Sequence, residues 1–277
     1  MSSYHCLVAG LPDVAFDGGK LTFSIDRFRD EIYPSLSASD AKSIDLFFLA
    51  RDNENLLKIL REGDEASLEN IGLYTREELL EIINSAKNGD VRSKDIPSYL
   101  YDFLEYYFEN EQLAAVLWSD VLSARYYEYA IASKNEFVSQ WFAFNLNVNN
   151  LLVAIQARKH NFSAAEFVVG EGEIADLLRS SAARDFGLTG MFDYLEPVQR
   201  LSEKEELQER ERMLDDMRWK WLDDNSIFNY FTIERIFVFL QKLDIVERWE
   251  KLDSDKGLQR FTELISNLKG GLELPAI

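Results

Sequence analysis

One cysteine, Cys6, in 277 residues excludes an intrachain disulfide and a redox pair. It fits a reducing compartment. Two histidines, His5 and His160, are the whole imidazole supply, and neither has Cys, Asp or Glu at a zinc-binding spacing. Neither has a Glu three residues before it, so the di-iron bundle pattern is absent. Only 5 prolines and 13 glycines interrupt the chain, which leaves long stretches free to run as helices. Basic residues are short too: 30 Lys and Arg stand against 49 Asp and Glu, a net charge of −19 with no basic patch. A nucleic-acid backbone or an anionic lipid surface is therefore a poor partner. What remains is 47% hydrophobic and 29% charged, the balance of a folded globular chain.

No run is apolar enough for lipid. The longest uncharged stretch, Phe137 to Ala157, carries six amides, Gln140, Asn145, Asn147, Asn149, Asn150 and Gln156. Those are costly in hydrocarbon, so a buried helix without direct lipid insertion is expected. The start, Met1 to Gly10, has no cationic lead and too short an apolar stretch for a signal peptide. A cytoplasmic location is expected, with Asn161-Phe162-Ser163 a chance sequon. The opening, Met1 to Gly10, reads as a short buried strand that stops at Gly10 and Pro12.

Beyond that strand the helical period dominates and predicts a mostly α fold. Thr75-Arg-Glu-Glu78 is a capping box, followed by Leu79, Ile82, Ile83 and Ala86 on one face and a stop at Asn88-Gly89. Apolar stripes recur at Leu100, Phe103, Leu104, Tyr107 and Phe108, and again at Trp141, Phe144, Val148, Leu151, Leu152 and Ile155. A last stripe joins Ile233, Ile236, Phe237, Leu240 and Leu243. Turns are expected at Val168–Glu173 and at Phe186–Gly190; neither carries a phosphate-cradling or dinucleotide fingerprint. Between Arg200 and Asp224, 15 of 25 residues are charged, which predicts a long exposed helix with Glu206 and Arg210 attracting at i, i+4 and Glu205 and Glu209 repelling. His160, after Arg158 and Lys159, reads as a solvated helix end.

A faint repeat spans these helices. Asp52-Asn-Glu-Asn55-Leu-Leu57 matches Asn147-Val-Asn-Asn150-Leu-Leu152 at a step of 95 residues, and a step of 97 more reaches Asp244-Ile-Val-Glu247. Phe47, Phe142 and Phe239 each lie five residues ahead. Three related helical units within a single body, 1–90, 91–190 and 191–277, are the expectation. Asp52 with Asn55, and Asn147 with Asn150, each share a helical face and are expected to bond across to neighbouring helices. No nucleophile motif accompanies them, so no catalytic, cofactor-binding or metal residue is assigned. The alternative site is a cleft built from Tyr99, Tyr101, Tyr106, Tyr107, Tyr126, Tyr127 and Tyr129 with Asp95, Asp102, Glu105, Glu109 and Glu111. Such a cleft would take a cationic ligand on ring faces and carboxylates, or serve an acidic hydrolase.

Phe142-Ala-Phe-Asn-Leu-Asn-Val-Asn-Asn-Leu-Leu-Val-Ala-Ile-Gln-Ala-Arg158 resembles the Asp/Asn-x-x-Asn-Leu-to-Arg helix of the C (or d) subunit of V-type and archaeal-type ATPases. Phe231-Thr-Ile-Glu-Arg-Ile-Phe-Val-Phe-Leu-Gln-Lys242 is similar to the last long helix of that family. Tyr4–Pro12 and Asp45–Leu57 resemble a bacterial family encoded alongside V-type ATPase subunits. The resemblance implies three helical units in approximate threefold pseudosymmetry and a non-catalytic coupler. Its partners would be the central stalk and the membrane rotor ring, which would hold it peripherally at the membrane through protein contacts. Glu247-Arg248-Trp249 departs from the family's Glu-Ile-Arg-Asn, and the opening strand and Tyr-rich segment are not features of standard C subunits. Asp52, Asn55, Asn147, Asn150, Arg158, Asp244 and Glu247 are the polar positions such a repeat would use structurally. An unrelated helical scaffold is the third reading. An enzyme should show a deep cleft where Asp102, Glu105 and Tyr107 converge, and a coupler an open funnel.

Overall fold

The computed structural model describes residues 4–16, 21–68, 71–112 and 117–270, with side chains to 252. Among these residues there are helices and turns and no strand. The chain begins with α1 (His5–Ala9) and α2 (Ile25–Arg27), the latter running on through a π-helical turn at Phe28–Ile32 and a 3-10 turn at Tyr33–Ser35. The long α3 (Ala38–Glu62) follows, then α4 (Arg76–Asn88), α5 (Ser98–Asn110) and α6 (Trp118–Ile131). The second half holds α7 (Glu136–Lys159), α8 (Glu173–Ser180), α9 (Leu195–Ser202), α10 (Leu207–Asn225) and α11 (Ile233–Gly270).

The N-terminal strand expected from sequence is instead α1. Tyr4, Leu7, Val8 and Leu11 all pack against the core, and their spacing is that of one helical face. A short apolar run does not separate strand from helix by itself. Elsewhere the local signals are met. Thr75 Oγ1 accepts from Glu78 N while a Glu78 carboxylate oxygen accepts from Thr75 N, and Gly89 closes α4 at φ 70°. Ser37 and Asn135 cap α3 and α7 through their side chains. The apolar stripes of α5, α7 and α11 face one contiguous core. The charged stretch 200–224 is not one exposed helix: it breaks between α9 and α10, and α10 buries Leu214, Met217, Trp221 and Leu222. Charge density masked an apolar stripe of ordinary helical spacing.

Packing follows the chain order. α4 lies on α5, α5 on α6, and α6 on both α7 and α3. α8 and α9 pack on α7, α10 joins α9 to α11, and α11 returns to α2, α3 and α7. The tyrosines are structural joints in this arrangement. Tyr99 Oη donates to Asn53 Oδ1 at 2.8 Å, tying α5 to α3, and Tyr126 Oη donates to the Leu46 carbonyl at 2.6 Å, tying α6 to α3. Phenylalanine at position 99 would keep the ring but orphan the buried Asn53 oxygen, so Tyr99→Phe is expected to lose about 1–3 kcal/mol in chemical denaturation. Tyr106→Phe, at an exposed ring, should stay within about 0.5 kcal/mol.

Candidate functional site

A basin opens between α3 and α11, with residues of α2 at its edge and single side chains from α6, Tyr126, and from α7, Phe142. Its volume is about 640 Å³. Phe47, Phe142, Tyr126 and Ile25 form an apolar floor, and the wall carries Asp26, Glu54, Asp244 and Glu247 against Arg51, Arg248 and Lys251. Arg51 lies over the Phe47 ring at 4.7 Å, and its Nη2 meets Asp244 Oδ1 at 2.5 Å. Burial raises the Glu247 carboxyl above its usual range, with Lys251 and Arg51 acting against the shift. The basin combines an aromatic floor with paired charges of both signs. No histidine or cysteine lines it. Among the described residues no cluster of His, Cys, Asp or Glu could hold a metal ion.

The polar positions read from the repeat divide by role. Asp52 is fully buried, and its carboxylate accepts from Leu73 N at 2.8 Å and from Tyr74 N at 3.3 Å. Gly72 lets the chain pass this close: a Cβ there would stand 1.8 Å from Asp52 Oδ1. Asn150 does the equivalent in α7, donating to the Val169 carbonyl at 2.8 Å and accepting from Val169 N at 3.0 Å. Both side chains therefore hold the loop ahead of the next helix, rather than bonding to a neighbouring helix as expected. Tyr74 and Val169 are 95 residues apart, the step of the repeat, while Asp52 and Asn150 differ from that step by one helical turn. Asn55 is buried beside Asp52 on the same helix. The Asn147 side chain is half-buried and makes no hydrogen bond among the described residues, contrary to the expectation. Arg158 grips the turn after α8, donating to the carbonyls of Ala183 at 2.7 Å and Ser181 at 2.9 Å, with its guanidinium 3.6 Å over the Phe186 ring. Asp244 and Glu247 hold no loop; they face the basin.

In the Tyr-rich segment two of the five carboxylates expected to meet a ligand, Asp102 and Glu105, already have a partner. Arg92 bridges Asp102 Oδ1 at 2.6 Å and Glu105 Oε2 at 2.5 Å. Tyr99, Tyr101 and Tyr126 are buried, and the rings of Tyr99, Tyr126 and Tyr129 fill space against one another.

A buried ionic centre was not singled out from sequence. Asp215 on α10 is fully buried. It is met by Arg248 and, at 2.8 Å, by the Trp249 indole N–H from α11, and at 3.2 Å by Arg218. Arg218 Nε also donates to Asn145 Oδ1 on α7 at 2.9 Å. Asp215 is one of nine acidic residues between Arg200 and Asp224, and only its place on the apolar side of α10 distinguishes it. Among the described residues no helix is long and apolar enough to cross a membrane.

A family model described as "Protein of unknown function (DUF2764)" matches residues 1–272. No curated protein and no solved structure matches the chain.

Two expectations follow from the paired loop-holding side chains. Asn150→Ala should cost about 1–3 kcal/mol in urea denaturation, because it orphans both the N–H and the carbonyl of Val169, whereas Asn147→Ala should fall within about 0.5 kcal/mol. Burial pushes Asp52 up to about 7, with the Leu73 and Tyr74 amides partly opposing it. The folded state then holds the Asp52 proton above the unfolded value of about 3.9, so this residue's contribution is full below about pH 4 and lost as pH rises to about 7. Stability measured from pH 4.5 to 8 should carry a downward slope that Asp52→Asn reduces; an unchanged slope would remove Asp52 as its source.

Proposed function

The chain belongs to the DUF2764 family, and we propose that it is a non-catalytic coupling subunit of a V-type ATPase, set between the central stalk and the membrane rotor ring. The observation that carries this reading is where the resembling residues lie. Phe142–Arg158 falls on α7, and most of Phe231–Lys242 falls on α11. Each stretch reaches one basin, through Phe142 and Gln241, whose other walls come largely from α3 and the rest of α11, and we read that basin as the seat for a stalk segment. A torque-bearing connector must not flex, and long helices locked by side-chain bonds to loops meet that demand. α3 has 25 residues and α7 has 24, each capped by a side chain and each holding the next loop. The basin's mixed charges over an aromatic floor suit a protein segment, with rings for contact area and paired charges for register. Contact with the ring would be through protein, with the subunit peripheral to the membrane.

Affinity purification of the tagged full chain from gently solubilised cells, followed by mass spectrometry, tests the proposal. The expected outcome is recovery of catalytic, stalk and proteolipid subunits at similar stoichiometry. Glu247→Arg, which changes the basin wall, should lose the stalk subunits while the protein keeps its melting temperature. Recovery of none of these subunits, with the ATPase intact in the same extract, sinks the coupling role.

A further inference from the structure

A second concavity, sharing no lining residue with the basin, lies between the C-terminal half of α7 and the first turns of α10. It is an open groove of about 420 Å³, within the range of about 300–1,000 Å³ usual for small-molecule sites. Its walls are Leu152 and Val153 from α7 and Leu207 and Leu214 from α10, and Phe162 and Phe167 close one end. Val153, Phe162 and Leu207 are exposed, Leu207 at 64% and Phe162 at 62%. Apolar side chains held this open to water are a surface prepared for a ligand.

The polar content of the groove is small and has one sign to spare. Glu211 reaches it but faces Arg248 at 3.6 Å. Arg210 also lines it. The Glu206–Arg210 side-chain pair does not form, and the Arg210 side chain makes no hydrogen bond or ion pair among the described residues. Its Nε is buried with no acceptor. A buried guanidinium donor without a partner is rare, because it has surrendered water and gained nothing. His160, the exposed C-cap of α7, stands at the same rim. In a chain of net charge −19, an apolar trough with an unengaged cation against it is complementary to one chemistry.

We propose that this groove binds an amphipathic carboxylate of the fatty-acid class, its tail along Leu152, Leu207 and Leu214 and its acidic head on the Arg210 guanidinium. Arginine suits that head because its planar fork pairs with carboxylate through charge-assisted hydrogen bonds. Nothing in this argument uses the coupling role, so the two proposals stand or fall separately.

Isothermal titration of the full-length protein with decanoate, below its micellar range, tests the assignment with decanol as the neutral control. Decanoate should bind saturably at one site, at least about tenfold tighter than decanol. Arg210→Met should bring decanoate down to the level of decanol, and Arg210→Lys should restore part of the difference. Arg210 has no partner to lose, so neither change should lower the melting temperature. Val153→Trp, placed at an exposed wall position, should block both ligands. Absence of saturable decanoate binding overturns the proposal, as does affinity indifferent to Arg210→Met. Equal affinity for decanol and decanoate also overturns it, and would make the groove an apolar docking face for a protein segment.

Discussion

α3 is the acceptor spine to which much of the remaining chain is fastened. Four tyrosine hydroxyls from four different places donate to it: Tyr4 to Asp40 at 2.6 Å, Tyr33 to Asp45 at 2.5 Å, Tyr126 to the Leu46 carbonyl and Tyr99 to Asn53. The amides of Leu73 and Tyr74 donate to Asp52, the residue before Asn53. A helix with so many polar groups inside a core is tolerable only if each finds its partner, since an unmet buried acceptor costs more than a met one contributes. Apolar burial supplies the larger driving force but is indifferent to small slides and rotations. These directional bonds fix where α5, α6, the turn at Tyr33–Ser35 and the loop before α4 stand around α3.

The second fixed point is the Asp215 centre, and the basin lies between the two. Asp215 gathers Arg218, Arg248 and the Trp249 indole in the interior. Removing one partner from such a centre leaves an uncompensated buried charge, so it acts as a lock on the relative position of α10 and α11. The Arg51–Asp244 pair across the basin is of another kind. Its side chains remain 19% and 37% exposed, and half-exposed pairs contribute about 0–1 kcal/mol. The basin wall is thus held by packing and by the buried centre behind it. The pair at its surface is cheap to open, and an incoming protein segment can exchange its own charges for either member without loosening the fold.

How much of this was legible depended on whether a signal is local. The capping box at Thr75, the αL stop at Gly89 and the stripes of α5, α7 and α11 are all readable within a dozen residues, and all are met. The residues 4–9 were ambiguous in kind, since Leu7 and Val8 serve a strand or a short helix equally well until Tyr4 and Leu11 are placed on the same face. Asp215 and Arg210 were illegible for a different reason. Both lie in a segment so charged that neither stands out, and their roles rest on what other helices bring: Trp249 and Arg248 to the first, and an apolar trough with no acceptor to the second. The tyrosine cluster is mixed: Arg92, ten residues before Asp102, pairs with Asp102 and Glu105, and Tyr99, Tyr101 and Tyr126 are buried, while Tyr106 and Tyr129 stay exposed.

The repeat shows most clearly what sequence comparison within one chain can and cannot deliver. Positions 74 and 169 keep the step of 95 and occupy equivalent loops, yet the side chains that hold them sit one turn apart and differ in chemistry. Asn150 both donates and accepts, so it satisfies the whole peptide unit of Val169 and is indifferent to pH. Asp52, when ionised, only accepts, and it satisfies two successive N–H groups in return for a buried charge. The carboxylate admits the tighter approach that Gly72 permits, but it makes the first loop sensitive to protonation where the second is not. Two loops thus meet the same problem, an unpaired loop backbone over a helix, through side chains with different liabilities. In α11 the corresponding polar pair, Asp244 and Glu247, has no loop to hold and turns to the basin instead, which is how one repeated pattern yields two joints and one exposed surface.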